Sequence, residues 1–159
     1  MTDAIRRVET VLAEAGFPAA VVELDHSART AYDAAAALEC TVAQIAKSLI
    51  VLGTVSGRLA LVLIRGGDHL DLDRLSTALG EPAEMAPAAT VKRTTGFAVG
   101  GVPPVGHLTP LPAWMDRRLW EEDPVWAAAG HPRAVFRTTG PTLAQLTQAQ
   151  VLDIAVPDV

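Results

Sequence analysis

Two short apolar runs, residues 47–52 and 59–64, are separated by the turn sequence GTVSG. Both runs are rich in strand-forming residues, and Gly53 and Gly57 suit a tight connection, so this stretch predicts an antiparallel hairpin. A second hairpin is predicted where GHP joins VWAAAG to RAVFRT. Paired hairpin signals of this kind favour a sheet that is at least partly antiparallel.

Helical patterns alternate with these strands. Residues 3–15 carry apolar side chains at helical spacing, with Asp3 as a cap and Gly16 as the end. Further helices are predicted at RTAYDAAAALE, DLDRLSTALG, TVKRTTG and PTLAQLTQAQ, a helical turn at TVAQ, and strands at AAVVEL and AWM. The mixed order favours an α/β domain with a mixed sheet over a doubly wound parallel one.

Composition narrows the class of protein. A chain of 159 residues, half of them hydrophobic and 19% charged, suits one globular domain over residues 1–159. Its apolar runs are far shorter than the roughly 20 residues of a membrane span, and the charged N-terminal segment does not resemble a signal peptide. The single cysteine, Cys40, excludes an internal disulfide and predicts a cytoplasmic location.

The formal net charge of -5 argues against binding of nucleic acid by bulk electrostatics. No DNA or membrane partner is expected. A local basic surface is compatible with this charge, and so is a set of ordinary solvated side chains. The pairs considered for such a surface are Lys92 with Arg93, Arg117 with Arg118, and Arg133 with Arg137.

Lys47 is unusual because the chain has eleven arginines and only one other lysine. A lysine at the start of a buried strand is costly unless it is paired or faces a cleft. Its ammonium can bind a carbonyl oxygen, a phosphate or a carboxylate as a compact point charge. The alternative is an edge lysine that reaches out to solvent.

The segment TGFAVGGVPPVGH predicts a loop held in one shape by glycines and prolines. Backbone amides of Gly100, Gly101 and Val102 are candidates to bind an oxyanion, whereas Pro103 and Pro104 have no amide proton. The spacing matches neither a dinucleotide fingerprint nor a P-loop. A purely structural turn is the alternative.

His131 lies in the predicted turn of the second hairpin, where it can bind a substrate group, relay a proton, or simply be exposed. The other histidines lack metal-ligand spacing and Cys40 has no second thiol, so neither a metal nor a cofactor is expected. No Gly-x-Ser-x-Gly elbow is present. Ser48 follows Lys47, so the two side chains should leave opposite faces of the strand.

Taken in order, the stretches TAYDAAAALECTVAQIAKSLIVL, LALVLIRGGDHLDLDRLSTALG, VKRTTGFAVGGVPPVGH and AAAGHPRAVFRTT resemble the YbaK/ProX-type aminoacyl-tRNA editing domains. Related domains are inserted in bacterial prolyl-tRNA synthetases. The resemblance covers nearly the whole chain. It implies a mixed, twisted central sheet flanked by helices, with a small-molecule pocket.

The resemblance also implies an activity, which is hydrolysis of the ester that links a wrong, small amino acid to tRNA, commonly tRNA-Pro. The key lysine of the family falls on Lys47 and its Gly-x-x-x-Pro loop on residues 100–104. The pair His131-Pro132 is similar to one in alanine-specific members, but Ser48 replaces their usual asparagine. The sequence therefore leaves the choice among alanine, cysteine and other small residues open.

These considerations give one hypothesis for the site. Lys47, Gly100 and Gly101 are the catalytic candidates, and the substrate-binding candidates are Ser48, Val102, Pro103, Pro104, His131 and His26. The candidates for a tRNA-binding rim are Arg65, Lys92, Arg93 and Arg133. Prolyl-tRNA synthetase or an elongation factor is a candidate helper, and a homodimer is compatible with the resemblance.

Two other classes of function remain open at this point. The chain can be a non-catalytic binder of aminoacyl-tRNA or of a synthetase, which would retain mischarged tRNA without releasing the amino acid. It can also be a lyase that uses Lys47 as a Schiff-base amine, which borohydride trapping with a carbonyl substrate would reveal.

Overall fold

The computed structural model describes residues 3–28 and 30–157. The helices in these ranges are α1 (Asp3–Glu14), α2 (Ala31–Leu38), α3 (Leu72–Leu79), α4 (Ala88–Thr95), α5 (Arg117–Trp120) and α6 (Gly140–Thr147). The strands are β1 (Val21–Glu23), β2 (Ala46–Gly53), β3 (Leu59–Arg65), β4 (His69–Leu70), β5 (Ala83–Met85), β6 (Ala113–Asp116), β7 (Val125–His131), β8 (Ala134–Thr138), β9 (Gln150–Leu152) and β10 (Ala155–Val156). None of the described helices is long and apolar enough to cross a bilayer.

The central sheet has the strand order β5-β2-β3-β6-β9. Strand β2 runs antiparallel to β3 and to β5, whereas β6 runs parallel to both β3 and β9. A second sheet, β1-β8-β7, contains the other predicted hairpin, and β4 pairs with β10. The predicted mixed α/β architecture is confirmed.

Strand β2 separates two apolar clusters because its side chains alternate between faces. Ala46 and Ile50 pack in a large cluster with α1, α6 and the β7–β8 hairpin. Leu49 and Val51 pack on the opposite face, against α3 and the C-terminal strand. Burial on both faces explains why the run reads as continuously apolar.

Sequence patterns locate the long elements well and the short ones poorly. Thr30 caps α2 by accepting the amide of Asp33, and the predicted start of that helix at Arg29 lies outside the described residues. The prediction that the last helix extends to Gln150 is wrong, since α6 ends at Thr147. The residues after it form β9, whose three residues carry too little periodicity to be recognised.

Asp116 fixes the C-terminal strand to the central sheet. Its buried Oδ1 accepts the amides of Ile154 and Ala155, each at 3.0 Å, and its Oδ2 accepts the amide of Arg118 at 3.1 Å. A buried carboxylate is stable only with such donors. Asp116 thereby holds β10 in position to pair with β4.

Candidate active site

A cavity of about 260 Å³ lies between α2, the first half of β2, the β7–β8 hairpin and the loop that follows α4. Much of its wall consists of small apolar side chains, and its polar members include Lys47, Ser48 and His131. The lining residues from α2 and the segment before it are Ala28, Thr30, Ala31 and Ala34. A mostly apolar cleft with a few polar groups is typical of a small-molecule site.

Lys47 is the second residue of β2 and contributes to the cavity wall. Its Nζ donates a hydrogen bond to the backbone oxygen of Asp68, with 2.7 Å between the two atoms. Asp68 follows the Gly66–Gly67 turn that closes β3, and it is 4% exposed. The backbone carbonyl supplies a partner for the half-buried ammonium, which the sequence did not identify.

Ser48 also lines the cavity, although its side chain leaves β2 on the face opposite to Lys47. Its Oγ is buried and has no hydrogen-bond partner among residues 3–28 and 30–157. An unpaired buried hydroxyl costs stability. Such a group is suited to a hydrogen bond with a bound ligand.

Only some of the residues predicted to bind substrate in the glycine-proline loop line the cavity. Gly100 and Val102 line it, and their amides have no partner among the described residues. The amide of Gly101 donates to the oxygen of Ala98 at 3.1 Å, so it is engaged within the loop. Pro103 and Pro104 are buried and do not appear in the cavity wall.

Gly101 instead provides a close contact with the second hairpin. A Cβ built on Gly101 would lie 3.3 Å from the carbonyl carbon of His131 and from the nitrogen and Cδ of Pro132. A Cβ at this distance would require the neighbouring backbone to shift by a few tenths of an ångström, so glycine permits the closest approach. The loop and the His131-Pro132 turn therefore touch each other at the cavity.

His107 fastens the other end of the loop. Its Nε2 lies 2.7 Å from the oxygen of Pro103, and since a carbonyl can only accept, Nε2 carries the proton. The imidazole also meets the Phe97 ring edge-on at 6.4 Å, and Arg7 stacks over that ring at 4.5 Å. Burial lowers the pKa of His107, and the Arg7 charge adds to this, while the Pro103 hydrogen bond opposes it.

We expect this histidine to make the protein less stable in mild acid. The pKa of His107 is lower in the folded chain than in the unfolded chain. Its contribution to the free energy of unfolding is therefore complete above about pH 6.5 and is lost as the pH falls through the pKa of the folded chain. Its slope is at most about 1.4 kcal/mol per pH unit. Urea unfolding of wild type and His107→Gln between pH 7.5 and 5 measures it. Equal acid slopes in the two proteins would contradict the assignment.

The pairing of β7 with β8 is irregular between Ala128 and His131. His131 therefore follows a β-bulge, next to Gly130, whose φ is 96°. The Nδ1 of His131 accepts the backbone amide of Arg133 at 3.0 Å. This hydrogen bond places the proton of a neutral imidazole on Nε2. The side chain lines the cavity and can offer Nε2–H to a ligand there.

The remaining candidates lie outside the cavity wall. His26 is exposed in a bend after β1, and Lys92 and Arg93 are exposed at the end of α4, where Lys92 Nζ bonds Gly96 O at 3.3 Å. Arg133 Nε donates to Leu24 O at 3.0 Å. Arg65 differs from these, because its guanidinium pairs with Asp68 at 2.8 Å and with Glu122 at 3.3 Å.

The described parts of the chain contain no group of three or more His, Cys, Asp or Glu side chains arranged to hold a metal ion. The geometry offers instead an ammonium, a hydroxyl, an imidazole and loop amides around a small apolar space. Such groups can bind a carbonyl compound and stabilise a developing negative charge.

Residues 25–146 match the family model of the aminoacyl-tRNA editing domain, which is more than half of the chain. The chain belongs to this family. A crystal structure described as "a putative trans-editing enzyme for prolyl tRNA synthetase" is 46% identical, with a TM-score of 0.92 over 98% of this chain and 99% of that one. The editing-domain fold expected from the sequence is therefore confirmed.

Two further proteins are similar to this chain. A structure from a study of epitope grafting onto scaffold proteins is 45% identical over 98% of this chain and 99% of its own, with a TM-score of 0.92. The "Putative Cys-tRNA(Pro)/Cys-tRNA(Cys) deacylase EbsC" of Enterococcus faecalis is 26% identical over 116 residues, 72% of this chain and 70% of that protein.

Three residues of this editing domain were missed or left without a role by sequence reasoning. Asp68 holds Lys47 through a backbone atom, which no side-chain motif encodes. His107 acts through the Pro103 oxygen, although the His at the end of the loop motif was a visible signal. Trp126 forms part of the cavity wall, and its place in a predicted strand gave no indication of which face it occupies.

Proposed function

We propose that this editing domain hydrolyses the ester between a small mischarged amino acid and the 3′ end of tRNA, with tRNA-Pro as the expected carrier. The observation that carries the proposal is the small apolar cavity bordered by Lys47, Ser48, Gly100 and His131. The relatives named as a prolyl-tRNA synthetase trans-editing enzyme and a Cys-tRNA(Pro) deacylase support the class of substrate.

The chemistry requires an attacking oxygen and a group that stabilises the oxyanion. An aminoacyl ester is already activated, so a protein nucleophile is not needed. We infer that water attacks and that the unpaired amides of Gly100 and Val102 bind the developing oxyanion. One such donor typically contributes about 3 kcal/mol in the transition state. Gly101, whose amide is engaged, acts in this scheme by its close packing.

The polar side chains divide the remaining tasks. Lys47 binds an oxygen of the substrate, from its carbonyl, its terminal ribose or its phosphate. Ser48 Oγ is buried without a partner and is suited to the amino acid moiety. His131, with its proton on Nε2, orients the water or the ester.

Binding of tRNA must use few contacts because the chain is acidic overall, with a formal net charge of -5. We propose Lys92, Arg93 and Arg133 as rim contacts for the acceptor end, since all three are exposed. A synthetase or an elongation factor can supply the rest of the affinity. We propose a cytoplasmic location for this activity, because its substrate is charged tRNA.

A deacylation panel tests the proposal directly. Purified protein is incubated with tRNA-Pro charged with alanine, cysteine, serine, 2-aminobutyrate or proline, and with correctly charged controls. We expect release of one or more of the small residues and sparing of proline. Retention of mischarged tRNA on a filter with no release of any amino acid would instead identify a non-catalytic binder.

Trp126 should limit the size of the amino acid that enters. It is half-buried against α2 and is the largest side chain in the cavity wall. Trp126→Ala is expected to raise kcat/KM for valine- or leucine-charged tRNA relative to alanine-charged tRNA by about tenfold or more, since one methylene is worth about 1–3 kcal/mol. Competition assays with mixed substrates measure this ratio.

Trp120→Ala is the matched control for that change, because Trp120 is 44% exposed on α5 and does not line the cavity. It removes an equal volume without altering the pocket. The size limit would lie elsewhere if Trp126→Ala and Trp120→Ala had the same selectivity as the wild type.

A further inference from the structure

A chain of polar contacts leads away from Lys47 to residues that do not line the cavity. Lys47 Nζ donates to Asp68 O at 2.7 Å. The Asp68 carboxylate accepts Arg65 Nε at 2.8 Å and Arg65 Nη2 at 3.3 Å. Arg65 Nη1 in turn lies 3.3 Å from Glu122 Oε1, beyond α5. Three segments of the fold thus meet behind the lysine.

Asp68 is well placed to fix the position of the carbonyl that receives Lys47. Its side chain is 6% exposed, and its amide also donates to Arg65 O at 3.0 Å. The two glycines before it pack tightly, since a Cβ on Gly66 would meet Val42 O at 2.8 Å. The turn therefore has little room to shift while the bidentate pair with Arg65 is intact.

The carboxylate and the backbone carbonyl of Asp68 have different cationic partners. Arg65 donates to both carboxylate oxygens of Asp68, whereas Lys47 Nζ donates to the neutral backbone carbonyl of the same residue. The Asp68 and Glu122 carboxylates raise the pKa of Arg65, which keeps the guanidinium charged.

We propose that Asp68 and Arg65 are positioning residues for Lys47, which hold its ammonium in place through the Asp68 carbonyl while the Asp68 carboxylate is taken up by Arg65. The proposal rests on the proposed function for its kinetic consequence only. It also gives Arg65 a task other than the tRNA contact predicted from the sequence, because two carboxylates already pair with its charge.

Because the chain has few lysines, the mobility of the Lys47 ammonium can be measured directly by NMR. Lys47 and Lys92 are the only lysines, so labelling with ¹⁵N-lysine gives one ammonium signal for each. In the wild type we expect a Lys47 signal with slow hydrogen exchange, and in Asp68→Asn and Arg65→Gln, neither of which adds a lysine, an exchange rate higher by about tenfold. Lys92 serves as the internal reference in every sample.

Asp68→Asn is isosteric and Arg65→Gln keeps a polar side chain, so that at least one variant should retain the fold as judged by circular dichroism and melting. Asp153→Asn is the matched control, since it weakens an exposed arginine–aspartate cluster with Arg74 remote from the cavity wall. It should leave the Lys47 signal unchanged. An unchanged Lys47 signal in folded Asp68→Asn or Arg65→Gln would overturn the proposal.

Kinetics on mischarged tRNA provide the second readout. Asp68→Asn is expected to lower kcat by about 10- to 100-fold with KM within about threefold, since small misplacements of a reacting group cost this much. In a Lys47→Ala background it should lower kcat no further. An equal loss in both backgrounds would show a merely structural role. If the wild type releases no amino acid, the proposed function fails, and the lysine signals alone decide the positioning.

Discussion

Replacement of Lys47 by alanine is expected to lower kcat for deacylation of mischarged tRNA-Pro by about 100- to 1,000-fold. The ammonium is the only cationic side chain of the described cavity wall, and loss of a preorganised donor at a developing charge typically has this effect. The fold should survive, because the substitution removes a half-buried side chain that packs at the start of β2. Single-turnover assays with a purified mischarged substrate measure the loss.

The other lysine of the chain provides the control for this prediction. Lys92→Ala removes the same side chain from the exposed end of α4, where it contacts Gly96 O. Its kcat should stay within about twofold of the wild type, although KM can rise if Lys92 contacts tRNA. Deacylation by Lys47→Ala at the wild-type rate would remove Lys47 from the mechanism.

Replacement of Gly101 by valine is expected to lower kcat/KM by about 10- to 100-fold. Even a Cβ at this position would lie 3.3 Å from backbone atoms of His131 and Pro132, so an isopropyl group must separate the loop from the hairpin. The amides of Gly100 and Val102 would move with the loop, and a displacement of about 1 Å can cost on the order of 100-fold. Deacylation assays measure the loss, with circular dichroism to verify the fold.

Ala98→Val is the control, because it places the same valine side chain at an exposed position of the same loop. It should retain activity within about threefold. Gly101→Ala should fall between the two, since its single methyl requires a shift of only a few tenths of an ångström. Full activity of folded Gly101→Val would show that the contact between loop and hairpin does not shape the site.

The parts of the site that sequence patterns predicted are those encoded by local periodicity and turn chemistry. The run containing Lys47 and Ser48 is a strand, and the GTVSG hairpin pairs Lys47 with Ile64. The glycine-proline loop also forms without helix or strand, as its composition indicates. The family resemblance assigned this loop and His131-Pro132 to one site, but their direct contact was not predicted.

The parts that could not be predicted depend on distant segments. Strand β6 pairs in parallel with β3, and no local signal in AWM specifies that neighbour. The Asp68 carbonyl is a backbone group that every residue type has, so the sequence does not indicate that Lys47 binds it. Gly101 was predicted to donate its amide to substrate, but turn formation with Ala98 takes that proton. Each case follows from tertiary context rather than propensity.

The pairing of β4 with β10 has a consequence for the order in which the site is assembled during synthesis. Asp68 directly precedes β4, whose described strand partner is β10, near the other end of the chain. Long-range pairings of this kind form late, after the intervening segments have left the ribosome. We therefore expect a nascent chain to have the cavity walls from α2 and β2 before the turn that orients Lys47 is secured.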